Sequence, residues 1–174
     1  METLIDRLLK LDTCAVSDAL DRLKLPGAVI GLRGLSVQKR IAGKAVTVQL
    51  DLANGRTPDR HLGTAAVDAS VPGDVIVVSH GARLDVSGWG GILSQGAVKH
   101  GVVGVVVDGA CRDVDECRDI GLPVYARAAV PITARTRVIE TGWNEPVLFG
   151  GVTVAPGDLV LADGSGVVFV PQAR

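Results

Sequence analysis

The chain has 174 residues, of which 47% are hydrophobic and 3% aromatic, with 18 Lys and Arg residues against 19 Asp and Glu residues. This length and apolar content predict a single domain over residues 1–174 and exclude disordered chains and small disulfide scaffolds. The formal net charge of −1 provides no broad basic surface for a polyanion, so nucleic acid is not an expected partner.

Two short helices are predicted at the amino terminus, followed by a strand and a longer helix. Apolar residues recur at helical spacing through residues 4–11 and again through residues 16–23. Residues 45–50 have the composition of a strand, and residues 57–69 carry an apolar stripe that predicts a helix.

The middle of the chain alternates between predicted strands and helices. The strands are predicted at residues 75–78, 102–107 and 123–126, and the helices at residues 92–100 and 114–120. This alternation predicts βαβ units with parallel strands and right-handed crossovers. The unbroken run of valines in the second strand indicates that it is covered on both faces.

The last third of the chain predicts short strands separated by Gly, Pro and Asp. These strands are predicted at residues 146–149, 152–154, 159–161 and 167–170. The 22 glycines of the chain have no three-residue period, and most of them are interpreted as turn residues between short strands. We therefore predict an α/β fold in which strands exceed helices.

Membrane insertion and disulfide formation are not predicted. No segment approaches the roughly 18 to 20 uninterrupted apolar residues of a membrane helix, and the first residues lack the order of segments in a signal peptide. Cys14, Cys111 and Cys117 include no Cys-x-x-Cys pair, which fits a reducing compartment. We expect a cytoplasmic protein with buried, inert thiols.

The best candidate for chemistry is the end of the valine strand, because ligands of open α/β sheets bind beyond the carboxyl ends of the strands. There Arg112 precedes Asp113: a guanidinium can bind a carboxylate or an enolate, and a carboxylate can bind a hard divalent cation. A structural interpretation is equally open, since Asp113 and Glu116 have the spacing of a capping box at a helix start. Gly109 is expected to let the strand turn toward this site.

A second candidate is the sequence Ser-Gly-Trp-Gly-Gly at residues 87–91, which leads directly into the helix predicted at residues 92–100. Exposed N–H groups at a helix amino terminus bind anions, and glycine permits close approach of a ligand. The segment is neither a Walker loop nor a Gly-x-Gly-x-x-Gly motif. Trp89 either lines this pocket or packs against a neighbouring subunit.

The combined spacing of the two candidates is more specific than either alone: Gly91, twenty residues, Arg112 and Asp113, two residues, then Glu116. It resembles the signature of class II pyruvate aldolases of the 4-hydroxy-4-methyl-2-oxoglutarate aldolase type, within the RraA-like family (regulator of ribonuclease activity A). Further segments that carry the resemblance lie at residues 16–20, 72–75, 89–91, 104–109, 150–152 and 156–159. The resemblance implies an α/β fold, a β/β/α sandwich of the swivelling-domain type with N-terminal helices. It also implies homo-oligomers, trimers or hexamers, with active sites between subunits.

The resemblance implies roles for individual residues. The backbone of Gly90, Gly91, Ile92 and Leu93, together with Arg112, would bind the pyruvyl carboxylate and oxo group of a 2-oxo acid. Asp113 would bind Mg²⁺ or Mn²⁺, partly through water, with Glu116 behind it, and a water on the metal is the simplest base. In the family, acidic residues of a neighbouring subunit order these waters, and this chain keeps only Asp163 of the usual C-terminal acidic run.

These residue types suit cleavage of a carbon–carbon bond next to a 2-oxo acid. The cleavage leaves a pyruvate enolate, which positive charge from Arg112 and a metal ion stabilises. The predicted function is a metal-dependent lyase that cleaves 4-hydroxy-2-oxo dicarboxylic acids to pyruvate and decarboxylates oxaloacetate. The alternative is a non-catalytic regulator that inhibits a ribonuclease by direct contact, as other members of the family do. Glu116 favours the enzyme.

The histidines are not predicted to be functional. His80 follows a strand and is expected in an exposed loop, with a catalytic role as the less favoured alternative. His61 and His100 lie in predicted helices without a spaced partner, so a zinc site is not expected.

Overall fold

The computed structural model describes residues 2–172. The helices within this range are α1 (Leu4–Leu8), α2 (Thr13–Arg22), α3 (Thr64–Ala69), α4 (Gly91–Lys99) and α5 (Val114–Asp119). The first six strands are β1 (Ala28–Val29), β2 (Arg33–Gly34), β3 (Ile41–Leu52), β4 (Val75–Ser87), β5 (Gly104–Cys111) and β6 (Val124–Ala129). The later strands are β7 (Val138–Trp143), β8 (Val147–Phe149), β9 (Val152–Val154), β10 (Leu159–Asp163) and β11 (Gly166–Val170).

One mixed sheet organises the fold, with the strand order β1-β11-β10-β3-β4-β5-β6-β2 and β7 paired with β3 as well. Its centre is parallel, because β3, β4, β5 and β6 pair side by side in one direction. Every residue of β5 is buried, which confirms the prediction that the valine strand is covered on both faces.

Two hydrophobic cores lie on opposite faces of this sheet. Side chains of Ile76 and Val78 join a core with Ala97 of α4 and Cys117 of α5. Their neighbours Val75 and Val77 join the other core, which contains residues of the β8–β9 hairpin and of β10 and β11. Because successive strand residues point to opposite faces, one valine-rich strand supplies both cores. The resulting layers are helix, sheet and strands, which confirms the predicted α/β sandwich.

The two amino-terminal helices that the sequence predicts are present as α1 and α2, and they pack against β3, β10 and β11 through a smaller core that includes Val16 and Leu20. Asp163 fixes this attachment. Its carboxylate accepts hydrogen bonds from the N–H and hydroxyl of Thr13, at 2.9 and 2.7 Å, and from the N–H of Ser165 at 2.9 Å. Burial by itself opposes ionisation, but these hydrogen bonds and nearby Arg40 outweigh it and lower the pKa of Asp163.

Several boundaries differ from the sequence prediction. The helix predicted over residues 57–69 is shorter in the structure, where it comprises only α3. The preceding residues 53–63 form an irregular segment that ends at Gly63, with φ 77°. The strand predicted to end at residue 107 continues to Cys111, and β4 continues to Ser87. In β4 the register with β5 shifts after Ser79, so the extra residues bulge and then pair again.

The cysteines agree only in part with the prediction of inert thiols. Cys111 and Cys117 are buried, and burial raises the pKa of the Cys111 thiol to about 12 and that of Cys117 above its ordinary value. Cys14 is exposed, so its predicted burial is wrong. Within residues 2–172, no helix has the length and apolar character needed to cross a membrane.

Asp163→Asn should reduce the free energy of unfolding at pH 7 by about 1–3 kcal/mol, since the amide cannot accept all the hydrogen bonds that the carboxylate accepts. The folded-state pKa of Asp163 lies below its ordinary 3.8. Its contribution is therefore complete above that value and is lost as pH falls through the folded-state pKa. Urea unfolding should show that the difference in free energy of unfolding between wild type and Asp163→Asn is smaller at pH 3 than at pH 7. The exposed Asp68→Asn is the control, and an equal gap at both pH values would contradict the assignment.

Candidate active site

The carboxyl end of β5 and the amino terminus of α4 are joined by backbone hydrogen bonds. Gly88 donates its N–H to the carbonyl of Ala110 at 2.8 Å, and Arg112 donates its N–H to the carbonyl of Trp89 at 2.9 Å. The two candidate segments of the sequence therefore run side by side, as their common signature requires.

Asp113 has a backbone and side-chain geometry that the capping-box interpretation does not predict. Its φ and ψ are 57° and 38°, in the left-handed region, and its side chain makes no capping hydrogen bond to α5. Instead, its Oδ2 atom accepts the N–H of Gly91 at 2.9 Å and lies 3.3 Å from Nε of Arg112. Glu116 accepts a hydrogen bond from the side chain of Gln95 instead of reaching back to the helix start. The capping-box prediction is therefore wrong.

Gly90 and Gly91 are glycines because charged side chains lie against their α carbons. A Cβ atom at Gly91 would lie 2.0 Å from Oε2 of Glu116, and one at Gly90 would lie 2.8 Å from Oδ2 of Asp113. Both distances are too short for any other residue without movement of the carboxylate. The signature spacing therefore reflects a packing contact between the start of α4 and the start of α5, as well as a set of polar groups.

The amino terminus of α4 keeps hydrogen-bond donors available at this contact. The Gly91 N–H is used by Asp113, whereas those of Ile92 and Leu93 have no hydrogen-bond partner among residues 2–172. Unpaired N–H groups in the first turn, together with the helix dipole, attract anions. Of the predicted segment 90–93, Ile92 and Leu93 therefore have N–H groups free to bind an anion.

A cavity of about 400 Å³ opens beside this contact. Arg112, Asp113 and the backbone of residues 90–93 lie in its wall, so the structure brings the predicted site residues together. Glu116 stands behind them, against Gly91 and outside the lining. The remaining lining residues are Pro58, Arg60, His61, Leu62, Ser87, Trp89, Thr133, Ala134, Arg135, Thr136, Val138 and Ile139.

The donor set of the cavity fits a hard divalent cation better than zinc. Within residues 2–172, no three His, Cys, Asp or Glu side chains are grouped to hold a metal. Asp113 is about one-third exposed, and its Oδ1 makes no hydrogen bond within the same range. Mg²⁺ is commonly held by one or two carboxylates with water and substrate oxygens, whereas zinc takes several His or Cys ligands. Asp113 is therefore the lining residue whose side chain could bind a hard divalent cation, with water and substrate oxygens as the other ligands.

The family model described as RraA-like, Aldolase/RraA, matches residues 13–169 of this chain. The chain belongs to the RraA-like family. An Alcanivorax borkumensis protein named "Putative 4-hydroxy-4-methyl-2-oxoglutarate aldolase" is 37% identical over 163 residues, which are 92% of this chain and 96% of the relative. The Legionella pneumophila protein DlpA is 30% identical over the whole chain, which spans only 28% of the length of DlpA.

A solved structure of the same family superposes closely on this RraA-like chain. Streptomyces coelicolor RraAS2, described as an unusual member of the RNase ES inhibitor RraA protein family, gives a TM-score of 0.86 at 28% identity. The match covers 98% of this chain and 85% of RraAS2. The chain is thus similar both to a relative with an enzyme name and to a solved structure described as a member of an inhibitor family.

His80 of the RraA-like chain is buried in β4, so its predicted position in an exposed loop is wrong. Its Nε2 atom lies 2.9 Å from the carbonyl of Val86, across the bulge, and burial lowers its pKa. A Cβ atom at Gly88 or Gly109 would lie 2.9 or 2.6 Å from the imidazole ring. Gly109, within β5, therefore makes room for the side chain of His80. The expectation that Gly109 lets the strand turn is wrong, because β5 continues to Cys111.

Sequence reasoning missed the part of the cavity wall that comes from residues 58–62 and 133–139. His61 was assigned to a helix, but it lies in the irregular segment before α3, where its Nδ1 is 3.1 Å from the carbonyl of Leu62. Trp89 is buried, lines the cavity, and donates its indole N–H to Ser94 at 2.8 Å. Only Trp89 carried a signal, through its place in the glycine-rich segment.

Gly91→Ala should lower the free energy of unfolding by about 1 kcal/mol, because the new Cβ displaces Glu116 and its hydrogen bond to Gln95. Adding Glu116→Ala should remove this penalty, which a double-mutant cycle from urea unfolding measures as a coupling between the two positions. Gly164→Ala, where nothing lies within 4 Å of the new atom, is the matched control. Additive effects at positions 91 and 116 would contradict the contact.

Proposed function

We propose that this RraA-like chain is a divalent-metal-dependent lyase that cleaves 4-hydroxy-4-methyl-2-oxoglutarate and related 4-hydroxy-2-oxo acids to pyruvate. Decarboxylation of oxaloacetate would occur at the same site. The observation that carries the proposal is the convergence of Arg112, Asp113 and the α4 amino terminus on one cavity. The enzyme-named relative, which the chain covers almost completely, supports the same chemistry.

Substrate binding follows from the two kinds of donor in the cavity wall. The carboxylate at C1 would accept the N–H groups of Ile92 and Leu93, where the dipole of α4 favours negative charge. The guanidinium of Arg112, about one-third exposed, would donate to the adjacent oxo oxygen. These contacts fix the plane of the 2-oxo acid and place its C3–C4 bond in the cavity.

Cleavage moves negative charge onto the oxo oxygen. A base takes the proton of the C4 hydroxyl, the C3–C4 bond breaks, and its electron pair forms the enolate of pyruvate, which then takes a proton back at C3. With a methyl group and a carboxylate on C4, the departing fragment is a second pyruvate. Arg112 faces the oxygen on which charge develops, so it stabilises the transition state more than the substrate.

Asp113 would hold Mg²⁺ or Mn²⁺ next to this oxygen. When bound, the cation supplies a Lewis acid for the oxo group and lowers the pKa of its water ligands. The Gly91 N–H and Arg112 both contact Oδ2 of Asp113 and so orient its carboxylate. Glu116 supports this arrangement from behind Gly91.

A neighbouring subunit would complete the surroundings of the cavity. Ile92 is 75% exposed although it lines the cavity. A trimer or hexamer that covers this apolar side chain would place subunit contacts at the mouth of the site.

A protein-binding regulator is the second candidate, and the inhibitor-family description of RraAS2 favours it. Inhibition by surface contact does not require a 400 Å³ cavity with converging charged groups. The experiments on turnover and metal binding therefore decide between the two functions.

Purified protein with Mg²⁺ should release pyruvate from 4-hydroxy-4-methyl-2-oxoglutarate and from oxaloacetate, and a chelator should abolish this release. Arg112→Ala should lower kcat by ~10²–10³, the usual effect of losing one donor to a developing oxyanion. A coupled assay for pyruvate measures both results. Absence of pyruvate from both substrates would refute the lyase, and full turnover by Arg112→Ala would remove that residue from the mechanism.

Asp113→Asn should weaken Mn²⁺ or Mg²⁺ binding by at least about tenfold, since the proposed site depends on one carboxylate from this chain. Isothermal titration calorimetry with the metal alone measures this effect without substrate. Asp119→Asn, an exposed change on the same helix, is the matched control. Unchanged metal affinity in Asp113→Asn would contradict the assignment and favour the regulator.

A further inference from the structure

Two arginines in the cavity wall have no role in the chemistry proposed above. Arg60 lies in the irregular segment before α3, and Arg135 lies in the loop before β7. With Arg112 they give the lining three guanidinium groups, whereas Asp113 is its one carboxylate. Arg112 has Asp113 beside it and Arg60 has Glu140, so a substrate with a single carboxylate at the α4 amino terminus would leave Arg135 without an anion, since no carboxylate among residues 2–172 lies within ion-pair distance of it.

Arg60 is held by a buried carboxylate, that of Glu140. The Glu140 side chain is 5% exposed, and its Oε2 atom accepts the N–H of Gly63 at 2.7 Å. Its Oε1 atom lies 4.0 Å from Nε of Arg60. Glu140 therefore ties the segment that carries Arg60 to β7, and it contacts the guanidinium at the limit of an ion pair. Within residues 2–172 the Arg60 side chain makes no hydrogen bond, and Arg60 lines both this cavity and a smaller one that it shares with Glu140.

Arg135 has no acidic partner within ion-pair distance among residues 2–172. Its own N–H donates to the hydroxyl of Thr133 at 3.2 Å, and the next residue, Thr136, has φ 64°. A β-branched residue in the left-handed region is unusual and persists where the surrounding structure imposes it. The loop that presents Arg135 to the cavity therefore has a defined, strained conformation.

Much of the cavity lining is apolar. It includes Leu62, Trp89, Val138 and Ile139. Such a wall accepts the carbon chain of a ligand, and flanking guanidinium groups then bind an anion at its end.

We propose that Arg60 and Arg135 bind the second carboxylate of a dicarboxylic 2-oxo acid, with Glu140 as a positioning residue for Arg60. This inference rests on the proposed function, which places the first carboxylate at the amino terminus of α4. The cavity then selects substrates by the charge at the far end of the chain. A monocarboxylic 2-oxo acid of the same length binds only through its first carboxylate and its oxo group.

The test compares two five-carbon ligands that lack the 4-hydroxyl group and cannot undergo retro-aldol cleavage. Calorimetric titration in the presence of Mg²⁺ should show 2-oxoglutarate binding about tenfold or more tightly than 2-oxopentanoate. Arg60→Gln and Arg135→Gln should each reduce that selectivity severalfold by weakening 2-oxoglutarate alone. Arg22→Gln, an exposed change on α2, should leave both affinities unchanged and controls for net charge.

Glu140→Gln should reduce the same selectivity, because Arg60 loses the charge that orients it. In steady-state assays it should raise KM for 4-hydroxy-4-methyl-2-oxoglutarate with little change in kcat. A purely structural role for Glu140 would lower both affinities together and leave the selectivity intact. Thermal unfolding of each variant confirms that the protein tested is folded.

The two proposals fail in different ways. Selective 2-oxoglutarate binding that disappears in Arg60→Gln and Arg135→Gln, without pyruvate release from any substrate, would support the carboxylate subsite and refute the lyase. Pyruvate release with equal affinity for the two ligands, or with both ligands weakened alike in the variants, would overturn the subsite. Failure of wild type to bind either ligand would overturn it as well.

Discussion

The candidate site depends on the close approach of two backbone segments, the amino terminus of α4 and the turn from β5 into α5. Glycine at positions 90 and 91 permits this approach, and the hydrogen bond from the Gly91 N–H to Asp113 closes it. The contact has two effects at once. It fixes one carboxylate oxygen of Asp113, and the next N–H groups of α4 have no hydrogen-bond partner among residues 2–172. The groups proposed to bind an anion and a cation thus come from a single packing contact.

Two Asp–Arg pairs show how burial separates structural from chemical roles: one joins Asp108 of β5 to Arg127 of β6, and the other, Arg112 with Asp113, directly follows β5. Asp108 and Arg127 meet at 2.6 Å with the carboxylate 6% exposed, and Asp108 also accepts the N–H of Gly150. That pair attaches the β8–β9 hairpin, and removing either partner would leave a buried charge without an ion-pair partner. Nε of Arg112 and Oδ2 of Asp113 lie farther apart, at 3.3 Å, and each side chain is about one-third exposed. A pair of this kind can exchange its partner for a ligand at little cost.

The sequence was sufficient for the central parallel strands, because a strand covered on both faces is mostly apolar, and the three consecutive valines at residues 105–107 indicate such a strand. It was also sufficient to position Arg112 and Asp113 at the carboxyl end of β5, where they line the cavity. It was insufficient for Arg60 and Arg135, which lie in polar segments without periodicity and come to line one cavity only through tertiary folding. It was misleading for His80, since the glycine that follows it marks a bulge within β4 and not the end of the strand.

The left-handed backbone at Asp113 gives this residue an unusual place in the balance between stability and activity. Glycine would adopt φ 57° freely, whereas aspartate there costs the fold about 1 kcal/mol. The hydrogen bond that Asp113 accepts from Gly91 offsets part of this cost, so selection for thermal stability alone would retain this carboxylate only weakly. When variants of this fold are selected for stability, position 113 should for that reason be the first to be sequenced, and the activity of variants changed there should be measured.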